Sequence, residues 1–218
     1  IVIGGGICGC SLLYELSKYQ VKALLLEKEN DVSVGTTKAN SAIIHAGYDP
    51  EPGTKMADYN VAGSRITREI CARLDVPYRQ IGSLVLAFSE QEMETVHTLY
   101  ERGKQNGVPG VQVLSREETL QMEPALSPEV CGALYAPTAA VVSPWELALA
   151  MAETAVKNGA QLECNRTVTG IRAEEGGFCV AAGENEYRAR FVVNAAGVAC
   201  GEISRMAGAE KIEIHPSR

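Results

Sequence analysis

The chain opens Ile1-Val2-Ile3-Gly4-Gly5-Gly6-Ile7-Cys8-Gly9, a short apolar run that breaks into glycines. Gly4, Gly6 and Gly9 keep the G-x-G-x-x-G spacing. Residues 8–19 then place Leu12, Leu13 and Leu16 on one helical face, and 21–26 form a second apolar run that ends on Glu27. Few patterns restrict a fold so narrowly. Gly4 permits a tight turn, Gly6 leaves bare backbone for a pyrophosphate, and Gly9 lets helix and sheet pack closely. The N–H groups at a helix start attract phosphate, and Glu27, eighteen residues after Gly9, suits ribose hydroxyls. The glycines alone would fit an ordinary strand-to-helix turn. Strand, turn, helix, strand and acid in that order predict a dinucleotide site.

Bulk properties exclude several alternatives. The chain has 218 residues, 46% hydrophobic and 22% charged, enough for one large domain or two small ones. Net charge is −7 and no Lys/Arg cluster occurs, which argues against a nucleic-acid partner. No apolar run is long enough to cross a bilayer. The seven cysteines are scattered without C-x-x-C or zinc spacing, so no metal site is expected and a reducing compartment is. The expected location is cytoplasmic, with peripheral membrane attachment left open. Because residue 1 already lies in a strand and no capping element closes 213–218, the sequence reads as part of a longer chain.

The periodicity predicts a loop over 30–40, a short apolar segment at 41–45, and a turn at 49–54 that caps a helix over 55–73. Strand character follows at 79–88 and an exposed amphipathic helix at 90–106. A short strand covers 111–114, and Ser115-x-x-Glu118 has capping-box spacing. Strands at 132–136 and 140–142 precede a helix that Ser143-Pro144 starts and Asn158-Gly159 stops. Trp145, just inside it, is expected in the core. Four strand-like runs close the pattern: 161–164, 167–173, 178–182 and 188–194, the last entering Ala195-Ala196-Gly197. The fold class is therefore α/β. A Rossmann-like parallel sheet is expected in 1–76 and 143–218, interrupted by an α+β substrate domain at 77–142.

Together these pieces resemble the FAD-dependent oxidoreductases of the D-amino-acid oxidase type. Four stretches carry the resemblance: the glycine pattern with Glu27-Lys28; Gly35-Thr36-Thr37-Lys38-Ala39-Asn40-Ser41; Ile43-Ile44-His45-Ala46-Gly47-Tyr48 with Pro52-Gly53-Thr54; and Val193-Asn194-Ala195-Ala196-Gly197. An NAD-linked Rossmann dehydrogenase has no reason to carry the second and third. Within the family, 35–54 is most similar to the flavin-dependent glycerol-3-phosphate dehydrogenases and oxidases. The 2-hydroxyglutarate dehydrogenase branch is the nearest competitor. A non-catalytic dinucleotide-binding module is the alternative from another class. The resemblance also implies that later strands complete the substrate site and that a late glycine-rich segment covers the flavin.

It implies FAD as cofactor, held by Gly4, Gly6, Ile7, Gly9, Glu27, Lys28, Thr36, Thr37, Asn40, Ser41, Val168, Ala195, Ala196 and Gly197. The substrate is a small anionic hydroxy compound, with glycerol 3-phosphate first. The electron acceptor stays open among oxygen, a quinone and a protein. Alcohol oxidation needs a base for the O–H proton, and imidazole titrates near working pH. His45 is the candidate; its alternative is a buried histidine hydrogen-bonded to backbone. Arg65, Arg68 and Arg73 could bind an anion, but beside Glu69 and Asp75 they read first as surface ion pairs. Cys8 and Cys10 read as packing, and His97 as solvated.

Overall fold

The computed structural model describes residues 1–209 and 213–215. The chain forms β1 (Val2–Ile3), α1 (Ile7–Leu16), β2 (Leu24–Leu26), β3 (Ile43–Ile44), α2 (Lys55–Leu74), β4 (Tyr78–Gln80) and β5 (Ser83–Ala87). Next come α3 (Glu90–Gln105), β6 (Gln112–Ser115), α4 (Arg116–Met122), β7 (Gly132–Ala136), β8 (Ala140–Val142) and α5 (Pro144–Lys157). Then follow β9 (Gln161–Glu163), β10 (Val168–Glu174), β11 (Gly177–Ala182), β12 (Asn185–Ala189), β13 (Val193–Asn194) and α6 (Cys200–Met206). The chain divides into two compact units, residues 1–41 with 144–218, and residues 42–143.

In the first unit, β13-β1-β2-β9 form a parallel sheet. Alternate side chains of a strand point to opposite faces, and both faces here are apolar. Val2 and Leu25 pack with Leu13 of α1 and Ala155 of α5. Ile3 and Leu26 pack on the other face with Val180, Ala182 and Ile203, from the antiparallel β10-β11-β12 sheet and α6. Leu13 and Leu25 are fully buried. The sheet is thus a middle layer, and its strand ends are fixed by burial on two sides.

The second unit contains two antiparallel sheets, β3-β8-β4 and β5-β7-β6. Its core gathers Ala87, Val96, Val108 and Leu134. Side-chain caps open its helices: Thr54 for α2, Ser89 for α3, and a full Ser115/Glu118 capping box for α4.

Several sequence expectations shift. The segment 79–88 is two strands, because Gly82 turns at φ +74° with the Tyr135 ring against its Cα; β4 pairs with β8, and β5 with β7. The run 188–194 also splits. Its start belongs to β12, antiparallel to β11, and its end is β13, parallel to β1. Trp145 is 48% exposed and lies outside the core. The units divide at 41/42 and 143/144, whereas the sequence placed borders after 76 and 142. Residues 42–76 join the second unit because β3 pairs with β8 and the Asn106 amide donates to Gly47 O and Pro50 O, at 2.9 and 2.8 Å. Among the described residues, no helix is long and apolar enough to cross a membrane.

Candidate dinucleotide site

The three spaced glycines do different work. Gly4, after β1, sits at φ +107°, and its N–H donates to Leu26 O at 2.9 Å. A Cβ there would stand 2.5 Å from Ala195 O. A Cβ on Gly9 would overlap Gly4 O. Both positions are therefore forced by the fold. Gly6 is not: its φ of −76° suits any residue, and a Cβ would approach only Thr37 Oγ1, at 3.1 Å. Gly6 is the N-cap of α1, so that helix starts without a side-chain cap from its own residue and with no acid in its first turn. Thr37 Oγ1 accepts the Ile7 N–H at 2.9 Å. The positive end of the α1 dipole is otherwise left to an anion.

Glu27 ends β2 and is 8% exposed. Its Oε2 accepts the Gly5 N–H at 2.5 Å and its Oε1 the Glu29 N–H at 2.9 Å. Its backbone is fixed as well: its N–H donates to Glu163 O, and its carbonyl accepts from Arg166 N–H. Each carboxylate oxygen retains acceptor capacity for a sugar hydroxyl. Beneath the turn, Cys10 Sγ donates to Gly5 O at 3.3 Å. Burial, then the neighbouring Glu27, Cys164 and Asp31, push its thiol up to about 12, so it stays protonated and packs.

Ser33, which the sequence reading did not single out, lies beside the glycine turn. Its N–H donates to Gly5 O at 2.8 Å, its φ is +64°, and its buried Oγ has no protein partner. A serine in a polar loop gives no spacing signal; only the fold brings it beside the glycine turn.

The structure gathers Gly4, Gly6, Ile7, Gly9, Glu27, Thr37, Ala195 and Ala196 where β1, β2 and β13 end. Thr37 is 8% exposed and its hydroxyl braces α1, so part of its role is structural. Thr36, Asn40 and Ser41 are exposed; the Asn40 amide donates to Thr36 O and Thr37 O, at 3.1 and 2.8 Å, and closes that turn. Lys28 is exposed and pairs with Glu29 at 3.4 Å. Val168 is buried in the cluster of Ile3 and Leu26, and the β10–β11 register shifts just after it. Gly197, exposed at φ +56°, begins a short 3-10 turn. His45 belongs to the second unit, one residue past β3. It is exposed and has no hydrogen-bond partner among the described residues, unlike a buried, backbone-bonded histidine.

The chemistry of this donor set fits FAD. Bare backbone at Gly6 and the open dipole end of α1 suit a diphosphate, and Glu27 suits a ribose. The small Ala195-Ala196-Gly197 backbone allows close approach beside them. Among the described residues, no group of three or more His, Cys, Asp or Glu is placed to hold a metal ion.

Comparison with known proteins supports FAD as the cofactor. A glycerol 3-phosphate dehydrogenase of Caloramator mitchellensis is 46% identical over 217 residues, which are 100% of this chain and 45% of that protein. An L-2-hydroxyglutarate dehydrogenase of Escherichia coli is 31% identical, over 96% of this chain and 50% of that one. The solved L-alpha-glycerophosphate oxidase of Mycoplasma pneumoniae, dithionite-reduced with FAD bound, superposes with a TM-score of 0.91 at 31% identity. That match covers 97% of this chain and 57% of the oxidase, so the chain spans about half the length of these relatives. The model of the DAO family, described as FAD dependent oxidoreductase, matches residues 1–218. With the glycine turn, the buried acid and the parallel sheet in place, the chain belongs to the DAO family of FAD-dependent oxidoreductases.

Proposed function

We propose that the protein oxidises glycerol 3-phosphate to dihydroxyacetone phosphate. The observation that carries the substrate is the 46% identity to a glycerol 3-phosphate dehydrogenase along the whole chain. FAD, when bound, supplies the acceptor for the hydride of the alcohol carbon. In this reading the start of α1 and Gly6 hold the diphosphate, while Glu27 takes the ribose hydroxyls. Thr37 and Cys10 keep the turn in shape. Thr36, Asn40, Ser41, Ala195, Ala196 and Gly197 contribute polar and backbone contacts, Lys28 adds a nearby positive charge, and the Val168 backbone meets the adenine. His45, in this proposal, accepts the hydroxyl proton on an imidazole nitrogen.

The competing substrate is L-2-hydroxyglutarate, favoured by the 31% identical dehydrogenase. Anaerobic mixing of FAD-loaded protein with each compound separates them. Glycerol 3-phosphate is expected to bleach the flavin absorbance; bleaching by L-2-hydroxyglutarate alone would reverse the assignment. His45→Asn is expected to slow the bleaching by about 10²–10⁴-fold. A near wild-type rate would remove His45 from the proton transfer.

A further inference from the structure

The second unit holds a constellation that the flavin chemistry leaves unused. A cavity of about 660 Å³ is bounded by α2, β4 and the residues after α3. Arg65 and Arg68 line it from α2, three residues apart and so on one helix face. Glu69 and Asp75 are near in sequence, yet neither arginine has an ion-pair partner among the described residues, which corrects the surface-pair expectation. In a chain of net charge −7, two adjacent unpaired guanidiniums are a local attraction for anions.

Neutral donors accompany them. Tyr78 lines the same cavity; burial pushes its phenol up against the downward pull of Arg68, so at neutral pH it is an O–H donor. The Gln80 amide donates to Pro137 O at 3.0 Å, which fixes that side chain at the wall. Thr138 also lines the cavity, and its buried hydroxyl has no protein partner. One carboxylate, Asp58, opposes the two guanidiniums and leaves the wall positive.

We propose that this cavity binds a phosphate group, gripped by the Arg65 and Arg68 guanidiniums with the Tyr78 hydroxyl as a further donor. Paired guanidiniums match a tetrahedral oxyanion in both charge and donor geometry. The volume exceeds that of bare phosphate, so a small phosphate monoester fits as well as the inorganic ion.

Calorimetric titration of the full chain tests this with inorganic phosphate, glycerol 3-phosphate and, at matched ionic strength, chloride. Arg65→Ala/Arg68→Ala is expected to weaken phosphate binding at least about tenfold. Arg73→Ala, on the same helix but outside the cavity lining, is expected to leave it unchanged. Tyr78→Phe should weaken it about threefold. Any phosphate held at the glycine turn survives in the double variant, so the difference between the two proteins isolates this cavity. Tighter binding of glycerol 3-phosphate than of phosphate identifies a monoester site, and equal binding a site for the free ion. Arg65→Lys/Arg68→Lys, which keeps the charges, should retain part of the affinity and guards against loss of fold. Undiminished phosphate binding in the alanine double variant, or wild-type binding no tighter than that of chloride, would overturn the proposal. Inorganic phosphate is the probe, so failure here leaves the flavin reading untouched.

Discussion

Helix α1 of the first unit and helices α2, α3 and α4 of the second begin in opposite ways. The second unit's helices are closed by Thr54, Ser89 and Ser115, and each has an acid in its first turn. Helix α1 begins at a glycine, has no acid there, and takes a single hydroxyl from Thr37. Capping is worth about 1 kcal/mol per helix, and these three helices of the second unit have it. In the proposed reading, the open N–H groups of α1 face the diphosphate of FAD. The same contrast runs through the sheets. In the first unit β1 and β13 end beside one another in the small residues Gly4 and Ala195, whereas the second unit's paired strands are joined largely through α3 and α4.

The contrast breaks most readily at Gly9. Gly9→Ala places a methyl on Gly4 O, with no flexible side chain to yield. Its expected cost exceeds about 4 kcal/mol, enough to prevent the first unit from folding; a wild-type denaturant midpoint would refute the packing role. Next in size is a pH effect at Cys10. Its folded value of about 12 lies above its ordinary 9.0, so the folded state holds the proton more tightly. That contribution is full below pH 9 and is lost as pH rises towards 12. Stability should fall in that window, with this thiol adding up to about 1.4 kcal/mol per pH unit. Cys71, Cys164 and Cys179 shift in the same direction, so Cys10→Ala should flatten the slope without abolishing it. An unchanged slope in chemical unfolding across that range would contradict the assignment. The smallest effect lies in the second unit: Ser115→Ala should cost about 1 kcal/mol in equilibrium unfolding, because it opens the capping box of α4. No change there would mean that the caps do not distinguish the units.

Much of this was legible in the sequence, and what was not has physical reasons. The glycine spacing, Glu27 and the buried strands were readable because each rests on local rules of spacing and period. The capping box at Ser115 was readable for the same reason. The breaks at Gly82 and after Ala189 were not, because local strand propensity does not show which sheet a segment pairs with. The membership of residues 42–76 depends on pairing between β3 and β8, about a hundred residues apart, which no local pattern encodes. Ser33 was invisible because its neighbour, Gly5, is distant in sequence. Trp145 was misplaced because a position just inside a helix start does not reveal which way the ring faces.

The most direct test of the central claim is an FAD titration of Gly6→Ala beside wild type, with thermal unfolding of both. Gly6 has unstrained backbone, and a methyl there presses only on Thr37 Oγ1. The account expects a melting temperature within a few degrees of wild type and FAD affinity weakened at least about tenfold, since the methyl occupies the diphosphate's approach. A folded Gly6→Ala protein that binds FAD as tightly as wild type would contradict it.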